Sequence, residues 1–221
     1  NLIYITPNAK GGAFIKDFII VQCAKIVNHN IVVHYHNKGV SSFQNKPFYN
    51  LLYRSFFKNI KVILLAEPLY DDIKKYVHRK NVFICANGIP DKNKDVQIGQ
   101  EVLTPTILFL SNMMEEKGVY ELLEACKILK EKGHVFKCIF VGAWKDISEE
   151  DFRQKCIDDE LNEFVCALGP KYGEEKNDFL RNSDVFVFPT YYHNECFPLV
   201  LLEAMSYGKA CISTNIAGIP S

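Results

Sequence analysis

No stretch of this sequence holds the roughly 18 consecutive apolar residues that a membrane-spanning helix needs. Phe18-Ile19-Ile20-Val21 and Val62 to Ala66 come nearest. Net charge is lacking too, with 26 Lys and Arg against 26 Asp and Glu in 221 residues. Together with 48% hydrophobic residues, this excludes intrinsic disorder and describes a globular chain of one large or two small domains. The eight cysteines, at 23, 85, 126, 138, 156, 166, 196 and 211, include no Cys-x-x-Cys pair and have no His at ligand spacing. Zinc and disulfide frameworks are therefore disfavoured. Most lie in apolar runs such as Phe136-Lys137-Cys138-Ile139-Phe140, which reads as buried, reduced thiols of a cytoplasmic protein. Neither Gly-x4-Gly-Lys-Ser/Thr nor Gly-x-Gly-x-x-Gly occurs, so P-loop and dinucleotide readings fail, and there is no Asp-x-Asp triplet. The chain begins at Asn1, with no initiator Met and no signal-like segment from which targeting could be read.

The zero charge conceals a split. Residues 1–100 carry 14 basic and 6 acidic side chains, a balance of +8, and residues 101–221 carry 12 and 20, a balance of −8. The first half suits an anionic partner, unless both halves are simply solvated surfaces. Within it, Lys46, Arg54, Lys58 and Lys61 are interleaved with Phe48, Tyr49, Tyr53, Phe56 and Phe57. Such a pattern suits either an anionic lipid surface or a helix packed by Leu51, Leu52 and Phe56 with its basic residues in water.

Short apolar runs alternate with helical periodicities. Strands are predicted at 2–6, 31–35, 61–65 and 82–85, with helices at 15–27, 47–59 and 68–77 between them. Residues 91–104 turn polar and aperiodic, as a linker does. Beyond them the alternation restarts, with strands at 107–110, 136–141, 164–168, 185–188 and 210–213. The helices between them carry Val119 to Leu129, a Ser148-x-x-Asp151 capping box, residues 174–181, and residues 198–207. Near-continuous apolar strands separated by helices imply parallel sheets covered on both faces. The expectation is two doubly wound α/β units, a first domain at 1–90 and a second at 105–221. Both are read as incomplete, because the chain opens on a strand and stops straight after one, so it is expected to be a fragment of a longer protein.

Ligands of open α/β sheets bind beyond the carboxyl ends of the strands. After the strand at 107–110 comes Ser111-Asn112-Met113-Met114-Glu115-Glu116-Lys117-Gly118, where a lysine and a glycine at a helix start make a phosphate site conceivable. The loop after 185–188 runs from Pro189 to Glu195-Cys196-Phe197-Pro198, and Pro198 and Gly208 bracket the next helix. That helix is apolar apart from Glu203 and Ser206. Glu203 is thus expected to be buried, and, with no Lys or Arg on its own helix, to be met by ligand hydroxyls unless backbone N–H groups meet it.

Glu195 and Glu203 form an E-x7-E signature. Taken with Glu116-Lys117-Gly118, Val141-Gly142, Asn87-Gly88-Ile89 and Glu203-Ala-Met-Ser-Tyr-Gly208-Lys209, it resembles glycosyltransferase family 4 over essentially the whole chain. The resemblance implies two Rossmann-like domains of the GT-B type and a retaining, metal-independent enzyme without cofactor. Its donor would be a nucleoside-diphosphate sugar and its acceptor a glycan or lipid-linked sugar, in surface polysaccharide synthesis. It implies Glu195 and His36 as catalytic residues near the transferred sugar. The donor would be bound by Asn112, Lys117, Gly142, Glu195, Phe197, Pro198, Leu199, Val200 and Glu203. Within that set Lys117 lies on the diphosphate, the N–H groups of 197–200 near it, and Glu203 on the ribose. His34, the neighbouring candidate to His36, is expected on the opposite strand face; two strand histidines are otherwise core residues. The family's Gly-Arg is replaced here by Ser111-Asn112, which removes one phosphate-binding cation. The implied protein is cytoplasmic, with peripheral contact to an anionic inner membrane face and no nucleic-acid partner. The rivals are a nucleoside-diphosphate-sugar epimerase of similar architecture and a non-catalytic sugar-nucleotide-binding module.

Overall fold

The computed structural model describes residues 2–27, 30–90 and 104–221. The linker expected at 91–104 therefore lies, apart from Thr104, outside the described residues. The described residues fall into two compact units. The first comprises residues 1–87 with two later segments, 194–198 and 215–221; the second comprises 88–193 and 199–214.

The first unit is a four-stranded parallel sheet in sequential order, β1 (Ile3–Ile5), β2 (Ile31–Tyr35), β3 (Lys61–Leu64) and β4 (Val82–Ile84). Helices α1 (Gly11–Val27), α2 (Val40–Phe43) and α3 (Pro47–Phe57) lie in its connections. Alternation along β2 sends Ile31, Val33 and Tyr35 into the core with Val62 and Leu64 of β3. From the helices come Phe14 and Val21 of α1 and Tyr53, Phe56 and Phe57 of α3. The Phe14 and Tyr53 rings stand 4.6 Å apart, and the Tyr53 hydroxyl donates to the Ala9 carbonyl at 2.7 Å. Each such buried side chain contributes about 1.5–3 kcal/mol.

The helix expected at 68–77 is instead a 3-10 turn, Glu67–Asp72, followed by further turns. Asp72 is used elsewhere. Its carboxylate accepts from the N–H groups of Gly39, Val40 and Ser41 and from the Ser41 hydroxyl, at 2.6–3.1 Å. This caps α2, a helix the periodicity did not predict.

The second unit is a five-stranded parallel sheet. Its strands are β5 (Thr106–Leu110), β6 (Lys137–Val141), β7 (Val165–Ala167), β8 (Val185–Phe188) and β9 (Ala210–Ser213), in the order β7-β6-β5-β8-β9. Helices α4 (Val119–Glu131), α5 (Glu149–Asp158), α6 (Gly173–Asn182) and α7 (Leu199–Ser206) connect them. Leu108, Phe109, Phe140, Phe186 and Phe188 are fully buried, so the central strands read as apolar runs rather than alternations. Strand order reverses between β5 and β8, the switch point where such sheets bind ligands. Ser148 caps α5 as expected, accepting from the Asp151 N–H at 3.0 Å. Helix α7 ends in a Schellman turn. Gly208, at φ 68°, donates to Met205 at 2.9 Å, and Lys209 donates to Ala204 at 3.1 Å.

Two expectations about burial need correction. Helix α7 buries only Leu201 and Ala204, while Leu199 and Met205 are 44% and 57% exposed, so its apolar surround does not enclose it. All eight cysteines are free thiols, but Cys23, Cys85 and Cys166 are exposed. Cys126, Cys138 and Cys156 sit together in the second core, where the hydrogen bond between Cys138 and Cys126 and then burial push the Cys138 thiol well up. Burial raises Cys156 to about 11.

Main-chain bonds join the carboxyl ends of β5, β6 and β7: Ser111 N–H to Val141 O at 3.1 Å, Met113 to Ala143 at 2.8 Å, and Gly142 to Gly169 at 3.0 Å. At Gly142 a side chain would overlap the carbonyl of Ser111. Gly142→Ala is therefore expected to lower the unfolding free energy by about 2–4 kcal/mol through forced displacement of backbone. Urea denaturation reads this directly; wild-type stability in the variant would show that the loops part easily.

Candidate functional site

At the carboxyl edge of the second sheet, the loops after β5 and β8 are joined. Residues Glu115–Lys117 make a 3-10 turn, and Gly118, at φ 86°, turns the chain into α4. Its missing side chain matters here too, since a Cβ would overlap the Pro189 carbonyl. The Tyr191 N–H donates to the Glu116 carbonyl at 2.9 Å. Glu116 Oε2 lies 2.8 Å from His193 Nδ1 and accepts from the His193 N–H at 3.3 Å. Lys117 Nζ lies over two aromatic rings, 4.5 Å from the centre of Tyr192 and 5.4 Å from that of Phe188. The predicted phosphate lysine is thus directed along the β8 loop by rings rather than being part of the helix's first turn. Asn112 is exposed in the same β5 loop, and Gly142 lies against it through Ser111.

Glu203 departs from expectation. It is half-buried, with its side chain 29% exposed, and its Oε1 accepts from Lys176 Nζ of α6 at 2.6 Å. Absence of a cation from its own helix did not leave it without one, because α6 supplies the lysine from 27 residues away. The pair borders a depression of about 190 Å³. Leu199 and Val200 open α7, whose first turn contains no acidic residue.

The remaining predicted residues belong to the first unit. His36 is exposed just beyond β2, and His34 is buried at 8%. Their rings stand 4.2 Å apart, so the two share a face; the expected opposite orientation was wrong, because residues two apart in a strand point the same way. Tyr4 Oη meets His34 Nδ1 at 2.6 Å. Burial pushes the His34 imidazole below its ordinary value, His36 adds to this, and the Cys85 backbone opposes it. Glu195 is buried at 8%. The segment carrying it is tied down by Lys10, whose Nζ donates to Asn194 Oδ1 at 2.7 Å, and by Cys196, whose carbonyl accepts from Gly218 at 2.7 Å. Phe197 packs half-buried on the first core, and Pro198 is half-buried.

The sequence reading missed Lys176, Lys10, and the Glu116–His193 pair. Only Lys176 left a trace, as one of the two basic positions, with Arg181, on the helix before β8.

Comparison with known proteins follows the same lines. A family profile described as glycosyl transferases group 1 matches residues 91–221. The amylovoran biosynthesis glycosyltransferase AmsK of Erwinia amylovora is 32% identical over 146 residues, 64% of this chain and 35% of that protein. The putative colanic acid biosynthesis glycosyltransferase WcaL of Escherichia coli K12 is 26% identical over 204 residues, 88% of this chain and 49% of that protein. The chain therefore spans about a third to a half of these relatives. Anabaena HepE, solved in complex with UDP, superposes with a TM-score of 0.74 at 16% identity, covering 99% of this chain and 60% of that one. The fold is thus α/β of the GT-B type, with two Rossmann-like parallel-sheet units.

The hydrogen bond from His193 holds the Glu116 carboxyl below its ordinary value of 4.5, and Lys117 adds to this. A lowered carboxylate favours the folded arrangement above its ordinary value, and that contribution is lost as pH falls through the lowered one. In an NMR titration Glu116 should therefore have its midpoint below 4.5, moving up toward the unperturbed value in His193→Ala, with Lys117 still holding it down. An unchanged midpoint in that variant would remove His193 as the cause.

Proposed function

This chain belongs to the group 1 glycosyl transferases, and from that premise we propose that it is the core of a retaining enzyme of family 4. It would move a sugar from a nucleoside diphosphate to a glycan or lipid-linked acceptor in surface polysaccharide synthesis. The observation that carries the reading is the joined pair of loops at the β5/β8 switch point, with Lys117 lying over Tyr192 and Phe188. A lysine beside the first turn of a helix offers a donor diphosphate both a point charge and oriented N–H groups. The relatives AmsK and WcaL, named for amylovoran and colanic acid biosynthesis, support the polysaccharide setting.

In this reading the donor diphosphate is bound by Lys117 and the N–H groups of 197–200. Asn112 contributes a neutral contact where the family has arginine, and Glu203 takes the ribose. The acceptor hydroxyl attacks the anomeric carbon from the face that the diphosphate leaves, and its proton passes to the departing phosphate oxygen. Configuration is kept without a protein nucleophile. Lys117 stabilises the charge that develops on the leaving group, while Glu195 and His36 orient the transferred sugar. The chain itself is read as part of a longer polypeptide acting on the cytoplasmic side.

The test is product analysis with UDP- and GDP-sugars and lipid-linked acceptors, in EDTA. The expected product is a new glycoside with the donor's anomeric configuration, formed at an undiminished rate. An epimerised donor, no product, or activity restored only by Mg²⁺ or Mn²⁺ would each replace this reading.

Membrane contact belongs to the same proposal. No described helix is long and apolar enough to cross a membrane. On α1, however, Ile19, Ile20, Ile26 and Val27 are 57, 49, 82 and 80% exposed, and on α3 Phe48 and Leu51 are 59 and 68% exposed. Phe56, by contrast, is in the core. Residues 11–61 carry seven Lys and Arg and a single acid, Asp17, which is buried. Exposed apolar side chains on a basic segment suit anionic headgroups, where each basic residue near the surface is worth about 1 kcal/mol. Co-sedimentation with phosphatidylglycerol vesicles should rise with anionic lipid, fall with salt and drop in Arg54→Gln/Lys58→Gln/Lys61→Gln. Protein that stays in the supernatant at low salt would assign the acceptor to solution.

A further inference from the structure

The Lys176–Glu203 pair departs from expectation in a way that bears on specificity. Its two side chains come from different helices, α6 and α7, and remain 23% and 29% exposed after pairing. Ile89, Pro90, Gly173, Asn177, Ser206 and Tyr207 complete the wall of the depression beside them. Among the described residues, Oε2 of Glu203 has no hydrogen-bond donor, and the Lys176 ammonium has no acceptor besides Oε1. Each side chain thus keeps unused capacity at a solvent-open wall.

An ammonium carries three N–H donors and a carboxylate only acceptors. An exposed pair of this kind adds little to stability, because the charge attraction is screened and two flexible side chains must be ordered. It does hold the carboxylate in one place. A neighbouring pair of hydroxyls has the complementary property, since each hydroxyl can donate once and accept. One hydroxyl can donate to Oε2 while the oxygen of the other accepts from Lys176 Nζ. A lone glutamate could bind the same diol only by accepting from both hydroxyls.

We propose that Lys176 is a ribose-binding residue, forming with Glu203 a mixed donor–acceptor clamp in which Lys176 donates to the 2′-hydroxyl oxygen and Glu203 Oε2 accepts from the 3′-hydroxyl of the donor nucleotide. The inference rests on the assignment of the ribose to Glu203 given above and adds to it the residue that makes recognition of both hydroxyls strict. Lys176 thereby also keeps a bound nucleotide from leaving an unpaired carboxylate in the wall.

The experiment measures binding by calorimetry with UDP, GDP, ADP and CDP. The tightest binder is then compared with its 2′-deoxy counterpart. Wild type should prefer the ribonucleotide by about tenfold, the scale of one charge-assisted hydrogen bond. In Lys176→Met, ribonucleotide affinity should fall about tenfold while the 2′-deoxy affinity changes by less than about twofold, so that discrimination collapses. Lys176→Arg should retain it. An unchanged melting temperature shows that Lys176→Met is folded, and Lys176→Gln takes its place if it is not. If wild type discriminates and both neutral variants discriminate equally well, Lys176 is a surface ion-pair partner and the inference is overturned. If wild type binds none of the four, the assignment of Glu203 to the ribose fails first; if it binds but does not distinguish ribose from deoxyribose, Lys176 makes no contact with the 2′-hydroxyl and the inference is overturned.

Discussion

Close approach of backbone to backbone at the carboxyl end of β5 is the constraint on which the second unit's site depends. Two glycines make it possible, Gly142 against Ser111 and Gly118 against Pro189. With them the loops from β5, β6 and β8 are bound to one another by main-chain hydrogen bonds rather than by side chains alone. Lys117 and His193 are consequently displayed on a surface whose shape is set by the sheet. Gly142 was expected to touch substrate; its contact with Ser111 gives it a structural duty that any ligand role would share.

How much of this could be read from residues alone depended on range. The strands β2, β5, β6 and β8 were legible because β-branched and aromatic runs bounded by polar turns have few other uses. Pro198 and Gly208 bracketed α7 correctly, and the Schellman turn explains why. The Ser148 box was legible because both of its partners lie within one turn. The Asp72 cap was not: an aspartate following Pro68 and Asp71 looks like part of a helix until its partners, more than thirty residues earlier, are known. The same limit hid Lys176 from Glu203 and His193 from Glu116, which are 27 and 77 residues apart. The error over His34 and His36 was of another kind. The strand period itself answers it, and the 4.2 Å ring separation records the answer.

Polar side chains in the first unit organise the end of β1 in the way that glycines organise the end of β5. Asn8 is held by Asp17 through both its N–H and its side-chain amide, at 2.8 Å each. Asn37 accepts from the Ala9 N–H at 2.7 Å and donates to the Pro7 carbonyl at 3.1 Å. Lys10 continues the series to Asn194, one residue before the buried Glu195. A carboxylate at 8% exposure in a segment anchored this way keeps a defined position. Burial of Glu195 was not foreseen, because the loop that carries it reads as polar.

The distribution of thiols gives the chain a built-in chemical record of its own breathing. Cys126 and Cys138 are fully enclosed, and Cys156 is buried with its thiol raised to about 11, so in the folded core these three are closed to an alkylating reagent. Cys23 and Cys85 lie open on the first unit. A brief exposure to such a reagent therefore marks these two and the exposed Cys166 of the second unit, and the slow incorporation that follows counts the moments at which the enclosed thiols of the second core come into reach.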